Sequence, residues 1–280
     1  MRRILATIFG VSLSLAVSPA HAAELKPQTA EAFARYIRSA EERMNRELRG
    51  GGAFLWVDRQ PEAERQKLYA QLRHGQILAE RVEQRGDEPV EVPGGLVHDW
   101  VALCFIPGAT LEQALAVLQD YDSHQNIYKP DVQRSKLLSR QGDDFQFDVQ
   151  LYQKKIVSAV LNAQFEAHYA RLGAARAYSL ARSTRIAEVE NPGEPGERER
   201  PVGNDRGFLW RLNSYWRFAE SDGGVYVQLE SIALSRSVPA IFAWLVNPLL
   251  RSIPRDHLAL LLNSTHSAVT DRRLQHAALR

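Results

Sequence analysis

The sequence predicts an α+β protein in which an antiparallel sheet closes over the last helix of the chain. Three observations lead there. From residue 96 onward strands follow one another with short links, which makes an antiparallel sheet. Several of these strands alternate apolar and polar residues, so one face of the sheet needs cover. The last helix, within RDHLALLLNSTHSAVTDRR, carries Leu258, Leu261, Leu262, Thr265 and Val269 on one stripe and is the large apolar surface left to supply that cover.

The chain has 280 residues, 45% hydrophobic and 24% charged, an ordinary globular balance with enough length for a sizeable core. Residues 1–22 differ from the rest. Arg2 and Arg3 precede the short apolar run ILATIFGVSLSLAV, and Ala20-His21-Ala22 gives the small-x-small pattern of a secretory signal cut after Ala22. The run is shorter than the roughly 20 residues of a spanning helix, and no later segment is apolar for long enough to cross a bilayer. The expectation is a periplasmic or secreted protein. Cleavage removes two Arg and no acid, leaving 33 basic and 33 acidic residues, so no excess charge draws the mature chain to nucleic acid. Cys104, the single cysteine, lies in WVALCFI and reads as a buried thiol.

In chain order, residues 28–48 form a helix with Phe33, Ile37, Ala40, Met44 and Leu48 on one side, stopped by Gly50-Gly51-Gly52. AFLWVDR (53–59) reads as a short strand, Pro61 opens a second helix, and GQILAERVEQ (75–84) reads as a strand. Residues 23–91 thus form an added N-terminal section ahead of a main domain, 92–280. LVHDWVALCFI is apolar on both faces. Pro107-Gly108 breaks it, and Thr110 with Gln113 makes a capping box for LEQALAVLQD. DYDSHQNIYKP is a short helix or turn ending at Pro130. Strands follow at 132–140, 144–155, 157–172 and 175–189, then a Pro-, Gly- and charge-rich loop at 190–206 that reads as mobile. GFLWRLNSYWRF (207–218) and VYVQLESIALSR (225–236) flank Asp-Gly-Gly as a hairpin. In the tail, PAIFAWLV is a short helix and Pro248 and Pro254 interrupt before the last one.

Motifs of known chemistry are sparse. The triple glycine lacks a following Lys-Ser/Thr, no Gly-x-Ser-x-Gly elbow occurs, and the eight histidines show no metal-ligand spacing. No cofactor or metal is implied. Arg176, Arg182, Arg211 and Arg217 can neighbour Glu166, Gln228 and Glu230 across strands, either as a solvent-facing charge ladder or as an inward cluster that orients a head group. Asp120, Asp122 and Tyr128 fall in a turn, where Asp serves capping as readily as acid–base work.

WVALCFIPGATLEQALAVLQDYDSHQNIYKPDV at the front, with GVYVQLESIALSR and IPRDHLALLLNST at the back, resembles the START-like superfamily over roughly residues 92–273. This superfamily is also known as SRPBCC or Bet v 1-like and includes polyketide cyclases and coenzyme Q-binding START proteins. The resemblance implies a helix-grip fold, with a curved sheet around the C-terminal helix and a hydrophobic cavity between them. It implies that Phe147, Val149, Leu161, Phe165, Phe208, Trp210, Leu212, Trp216, Val227 and Leu229 face inward, with Leu258, Leu261 and Leu262 opposite. Ser214, Ser231 and the small residues Ala177, Ser179 and Ala181 would give room or hydrogen-bonding handles. The implied partner is a hydrophobic small molecule such as a lipid, quinone or polyketide-like compound, membrane lipid among them. A core simply filled by these side chains is the alternative. So are a cyclase, dehydratase or hydrolase using the same cavity, and a ligand-free envelope scaffold.

Overall fold

The computed structural model describes residues 23–50, 52–82, 91–154, 158–237 and 240–278. The expected signal segment, 1–22, lies outside the described residues. The chain opens with β1 (Ala23–Glu24), α1 (Pro27–Arg49), a 3₁₀ turn at Trp56–Arg59, α2 (Glu62–Arg73) and β2 (Leu78–Arg81). Then come β3 (Gly95–Pro107), α3 (Leu111–Leu118), a second 3₁₀ turn at Tyr121–Ser123 and α4 (His124–Ile127). The run of strands is β4 (Val132–Gln141), β5 (Asp144–Lys154), β6 (Ser158–Arg171), β7 (Arg176–Glu190), β8 (Arg198–Glu199), β9 (Asn204–Asp205), β10 (Arg211–Ser221) and β11 (Gly224–Arg236). The chain closes with α5 (Ala240–Ala278).

The main sheet is antiparallel in the order β2-β3-β11-β10-β7-β6-β5-β4, with β8 added to β7. The hairpin expected at Asp-Gly-Gly is present. Asp222 and Gly223, at φ 54° and 71°, link Ser221 to its partner Gly224. Two successive positive φ values give a turn whose twist matches the paired strands. Thr110 caps α3 as its spacing predicts, its hydroxyl accepting from the Gln113 N–H while the Gln113 side chain accepts from the Thr110 N–H. α5 lies over β3, β2 and β11. Its C-terminal end is tied down by Arg273 Nη1 donating to the Pro107 carbonyl at 2.8 Å and by an Arg272–Asp120 ion pair. A large antiparallel sheet with the C-terminal helix against one face is the helix-grip arrangement.

That inner face holds the main core. It gathers Trp100, Ala102, Cys104 and Ile106 from β3, Phe147 and Val149 from β5, Leu161 and Phe165 from β6, Trp216 and Phe218 from β10, Val227 and Leu229 from β11, and Leu258, Leu262 and Val269 from α5. The outer face is covered too. α1 lays Phe33, Tyr36, Ile37, Ala40 and Met44 on Tyr215, Ile232 and Leu234. Beside it Phe54, Leu55, Val57 and Leu72 cover Val101, Leu103, Phe105 and Tyr226. Residues 23–82 therefore pack on the back of the sheet and contribute its edge strand β2.

Four expectations are corrected. AFLWVDR is a turn, not a strand, because the Asp58 carboxylate accepts from the Phe54 and Leu55 N–H groups at 2.9 and 2.7 Å and folds the backbone on itself. The strand at GQILAERVEQ is only Leu78–Arg81 among the described residues. The helix of the tail runs unbroken through Pro248 and Pro254. A proline inside a helix costs about 3 kcal/mol, and the buried stripe from Leu258 to Val269 offsets it. The 190–206 loop is pinned rather than loose. β8 pairs with β7, β9 pairs with β1, and Arg198, Arg200 and Arg206 form ion pairs with Glu190, Glu190 and Glu188.

Candidate ligand-binding site

Strand register decides which side chains meet on the inner face. One row runs Ala181–Ser214–Ser231–Trp100 across β7, β10, β11 and β3. The next, toward the start of β10, runs Leu212–Ala233–His98. On the other side lies Ser179–Trp216–Leu229–Ala102. Small residues from adjacent strands therefore form a floor, framed by Trp100, Trp216, Leu212 and His98. Ser183 adjoins it, its hydroxyl accepting from the Leu212 N–H at 2.9 Å.

This floor is less covered than its surroundings. Leu212, Ser214, Ser231 and Ala233 are half-buried, whereas Trp216, Phe218 and Leu229 are buried. Half-buried residues in the middle of a covered sheet face have open space in front of them. The space has a structural cause. α5 covers β3 and β2 on one side, and a block of rings fills the other. There Tyr121 stacks on Phe147 at 3.9 Å between ring centres, and Phe147 stacks on Phe165 at 5.2 Å. Burial raises the Tyr121 and Tyr169 hydroxyls, which hydrogen-bond each other at 2.8 Å, so this end is closed and un-ionised. Leu151 and Leu261, also half-buried, continue the apolar wall.

Polar groups are few and specific. The His98 Nε2 lies 2.9 Å from the Ser235 hydroxyl. Burial, with Arg81 nearby, lowers its pKa to about 4, so the imidazole is neutral across the ordinary pH range. Burial pushes the Cys104 thiol up to about 12, leaving it inert. Glu188 pairs with Leu161 and is 1% exposed, and it takes the Arg206 N–H at 2.9 Å together with the Arg206 guanidinium. Among the described residues no three His, Cys, Asp or Glu come together as metal ligands. No helix among them is long and apolar enough to cross a membrane. A surface cleft of about 190 Å³ beside α3 is lined by Glu112, Arg140, Asp143 and Arg171. The Glu112–Arg171 ion pair, at 2.6 Å, forms its polar side, and Leu115, Ala116, Ala170 and Ala177 form its apolar side.

Of the residues named from the sequence, Phe147, Val149, Leu161, Phe165, Leu212, Trp216, Val227, Leu229, Leu258, Leu261 and Leu262 lie in the inner cluster, and Ser214 stands on the floor. Trp210 does not. It packs with Phe33 and Ile37 in the outer cluster, its indole N–H donating to Asp205 at 3.1 Å. Phe208 belongs to no core cluster and sits under the Arg206 guanidinium. The cause is local. The Trp210 N–H and the Arg211 pairing both engage Leu234, so the regular ladder starts at 211 and the alternation read back to Phe208 does not hold.

Of the cross-strand charges, Arg176, Arg182 and Glu166 are exposed, with Glu166 opposite Arg182, as in the solvent-facing reading, whereas Arg217, Gln228 and Glu230 fit neither reading. Arg217, Gln228 and Glu230 point outward, yet they are buried beneath the N-terminal section. Arg217 donates to the Phe54 carbonyl at 2.6 Å and pairs with Glu47 at 2.7 Å. Gln228 accepts the Trp56 N–H at 2.6 Å, and Glu230 pairs with Arg43. Asp99, opposite Ile232 in the ladder, accepts from the Tyr36 hydroxyl at 2.9 Å. His98 and Trp100 were missed as site residues although strand parity places them with Cys104. Glu188 was hidden by a register shift between Gln164 and Phe165 that moves Ile186 and Glu188 onto the inner face.

Comparison with known proteins gives likenesses of structure. No protein-family profile and no curated protein sequence matches the chain. A STAR-related lipid transfer protein fragment from Xanthomonas axonopodis is 15% identical, with 64% of this chain and 96% of that one covered and a TM-score of 0.46. Human STARD10 is 10% identical, with 84% and 89% covered and a TM-score of 0.44. The Zhui aromatase/cyclase from Streptomyces sp. R1128 is 10% identical, with 64% and 94% covered and a TM-score of 0.41.

Proposed function

We propose that this protein binds a hydrophobic small molecule on its inner sheet face and that it does so outside the cytosol. The observation that carries the reading is the half-buried floor of Ser214, Ser231 and Ala233, framed by Trp100, Trp216 and Leu212. Apolar surface buried there stabilises a bound molecule by about 25 cal/mol per Å². A binding role fits the site better than catalysis. A proton carrier works best with a pKa near the working pH, and His98 is far below it. Export rests on the charge, apolar run and cleavage pattern of residues 1–22.

Ser214→Leu tests the binding reading by filling the floor with an isobutyl group. The uncharged fluorophore N-phenyl-1-naphthylamine is expected to brighten with the wild-type protein. The variant, melting as a cooperative unit, should lose at least about tenfold in affinity, the loss of roughly 1.4 kcal/mol of favourable contact. No brightening with wild type, or equal brightening with both, overturns the site. Export is checked by the intact mass of the protein from its native host, which should correspond to a chain starting at Ala23.

A further inference from the structure

We infer that the molecule held on this floor is an uncharged lipophile with one hydroxyl or carbonyl group, which docks against the Ser231 hydroxyl and the His98–Ser235 pair. The inference rests on the binding reading above and adds the chemistry of the ligand's polar end.

Among the described residues, Glu188 and Arg81 are the charges near the floor, and neither is open to an ionised head. Glu188 already holds Arg206 through its carboxylate and is sealed from solvent. Arg81 lies in the same ladder row as Trp100, but on the edge strand β2, with its side chain in water. The His98 imidazole is neutral. An ionised head brought onto the floor would lose its hydration without meeting an opposite charge, which costs several kcal/mol. A purely hydrocarbon ligand fits poorly for the opposite reason. It would dehydrate the hydroxyls of Ser214 and Ser231 and give them nothing in return, about 1–3 kcal/mol for each group left unmade.

A hydroxyl or carbonyl meets both conditions. Serine hydroxyls rotate to donate or accept, and neutral imidazole offers one donor and one acceptor nitrogen. Ser231 and His98 are diagonal neighbours on one face, because Ser231 pairs with Trp100 and Ala233 with His98. Ser235 fixes the ring from the far side through the 2.9 Å contact to Nε2. The rest of the ligand then lies toward Leu212, Leu151 and Leu261, where the apolar wall continues.

The test displaces N-phenyl-1-naphthylamine from the full mature chain with three probes of equal chain length at pH 9: tetradecane, 1-tetradecanol and tetradecanoate. 1-Tetradecanol is expected to displace at a concentration at least about tenfold below either of the others, the worth of one well-made hydrogen bond. In Ser231→Ala and His98→Phe its advantage over tetradecane should fall to within about twofold, because the alcohol loses its partner and tetradecane no longer leaves that group unpaired. Ser231→Ala removes one oxygen and keeps the fold, so it decides the matter if His98→Phe does not fold. Tetradecanoate displacing as well as or better than the alcohol overturns the inference and leaves the binding reading standing. So does an alcohol preference that survives both substitutions. Failure of all three probes, with the fluorophore itself unbound, overturns the binding reading as well.

Discussion

Arg43→Met is expected to lower the stability of the whole protein by about 3–5 kcal/mol in urea denaturation. Arg43 reaches from α1 to Glu230, which is 1% exposed, and Glu230 stands near Asp99, which is 3% exposed. Removing the guanidinium leaves a buried carboxylate without its ion-pair partner. Desolvation and the neighbouring Glu230 already hold the Asp99 pKa well above the usual carboxylate range, and the Tyr36 hydroxyl and Arg43 only partly oppose this. Replacing both partners, Arg43→Met with Glu230→Leu, should recover most of the loss, because an apolar pair of similar volume needs no desolvation of charge. The same layer sets a pH dependence. A carboxyl whose folded pKa is raised binds more protons folded than unfolded. Its contribution is therefore fully present below the unfolded value, about 3.9, and is lost as pH rises through the folded value. The stability of wild type relative to Asp99→Asn should fall over the pH interval that begins at the unfolded value and ends at the raised folded one. A difference that stays flat or grows over that interval would mean Asp99 is ionised in the folded protein.

Phe165→Ala is expected to cost about 3–5 kcal/mol, while Leu212→Ala should cost roughly 1 kcal/mol or less. The contrast follows from where the two residues stand on one sheet face. Phe165 is buried against Phe147, whose ring stacks in turn on Tyr121, so truncation opens a cavity that rigid aromatic neighbours cannot refill. Leu212 is half-buried beside space that already exists, so truncation widens an opening and creates little new void. Paired melts of the two variants read this directly. Equal losses would mean that the Leu212 end is packed as tightly as the aromatic end, and the binding floor would then not exist.

The interior strands were legible in the sequence wherever one face was apolar and the ladder regular. β5 and β6 place Phe147, Val149, Leu161 and Phe165 on the inner face as their alternation requires. Legibility ended at Trp210 and Glu188. At Trp210 the ladder starts later than the alternation, and at Glu188 a register shift inverts parity, and both depend on a partner strand that the local sequence does not contain.

By itself the sequence determined the sheet, the hairpin at Asp222-Gly223, the cap at Thr110 and the apolar stripe of the last helix, because each is set by residues a few positions apart. Only the tertiary structure decided that residues 23–82 cover the outer face, that Arg217 and Glu230 are buried beneath α1, and that small residues from three strands gather into one floor. Those outcomes join segments from distant parts of the chain, as with Tyr36 and Asp99. A charged residue on a strand reads the same whether water or a helix stands in front of it.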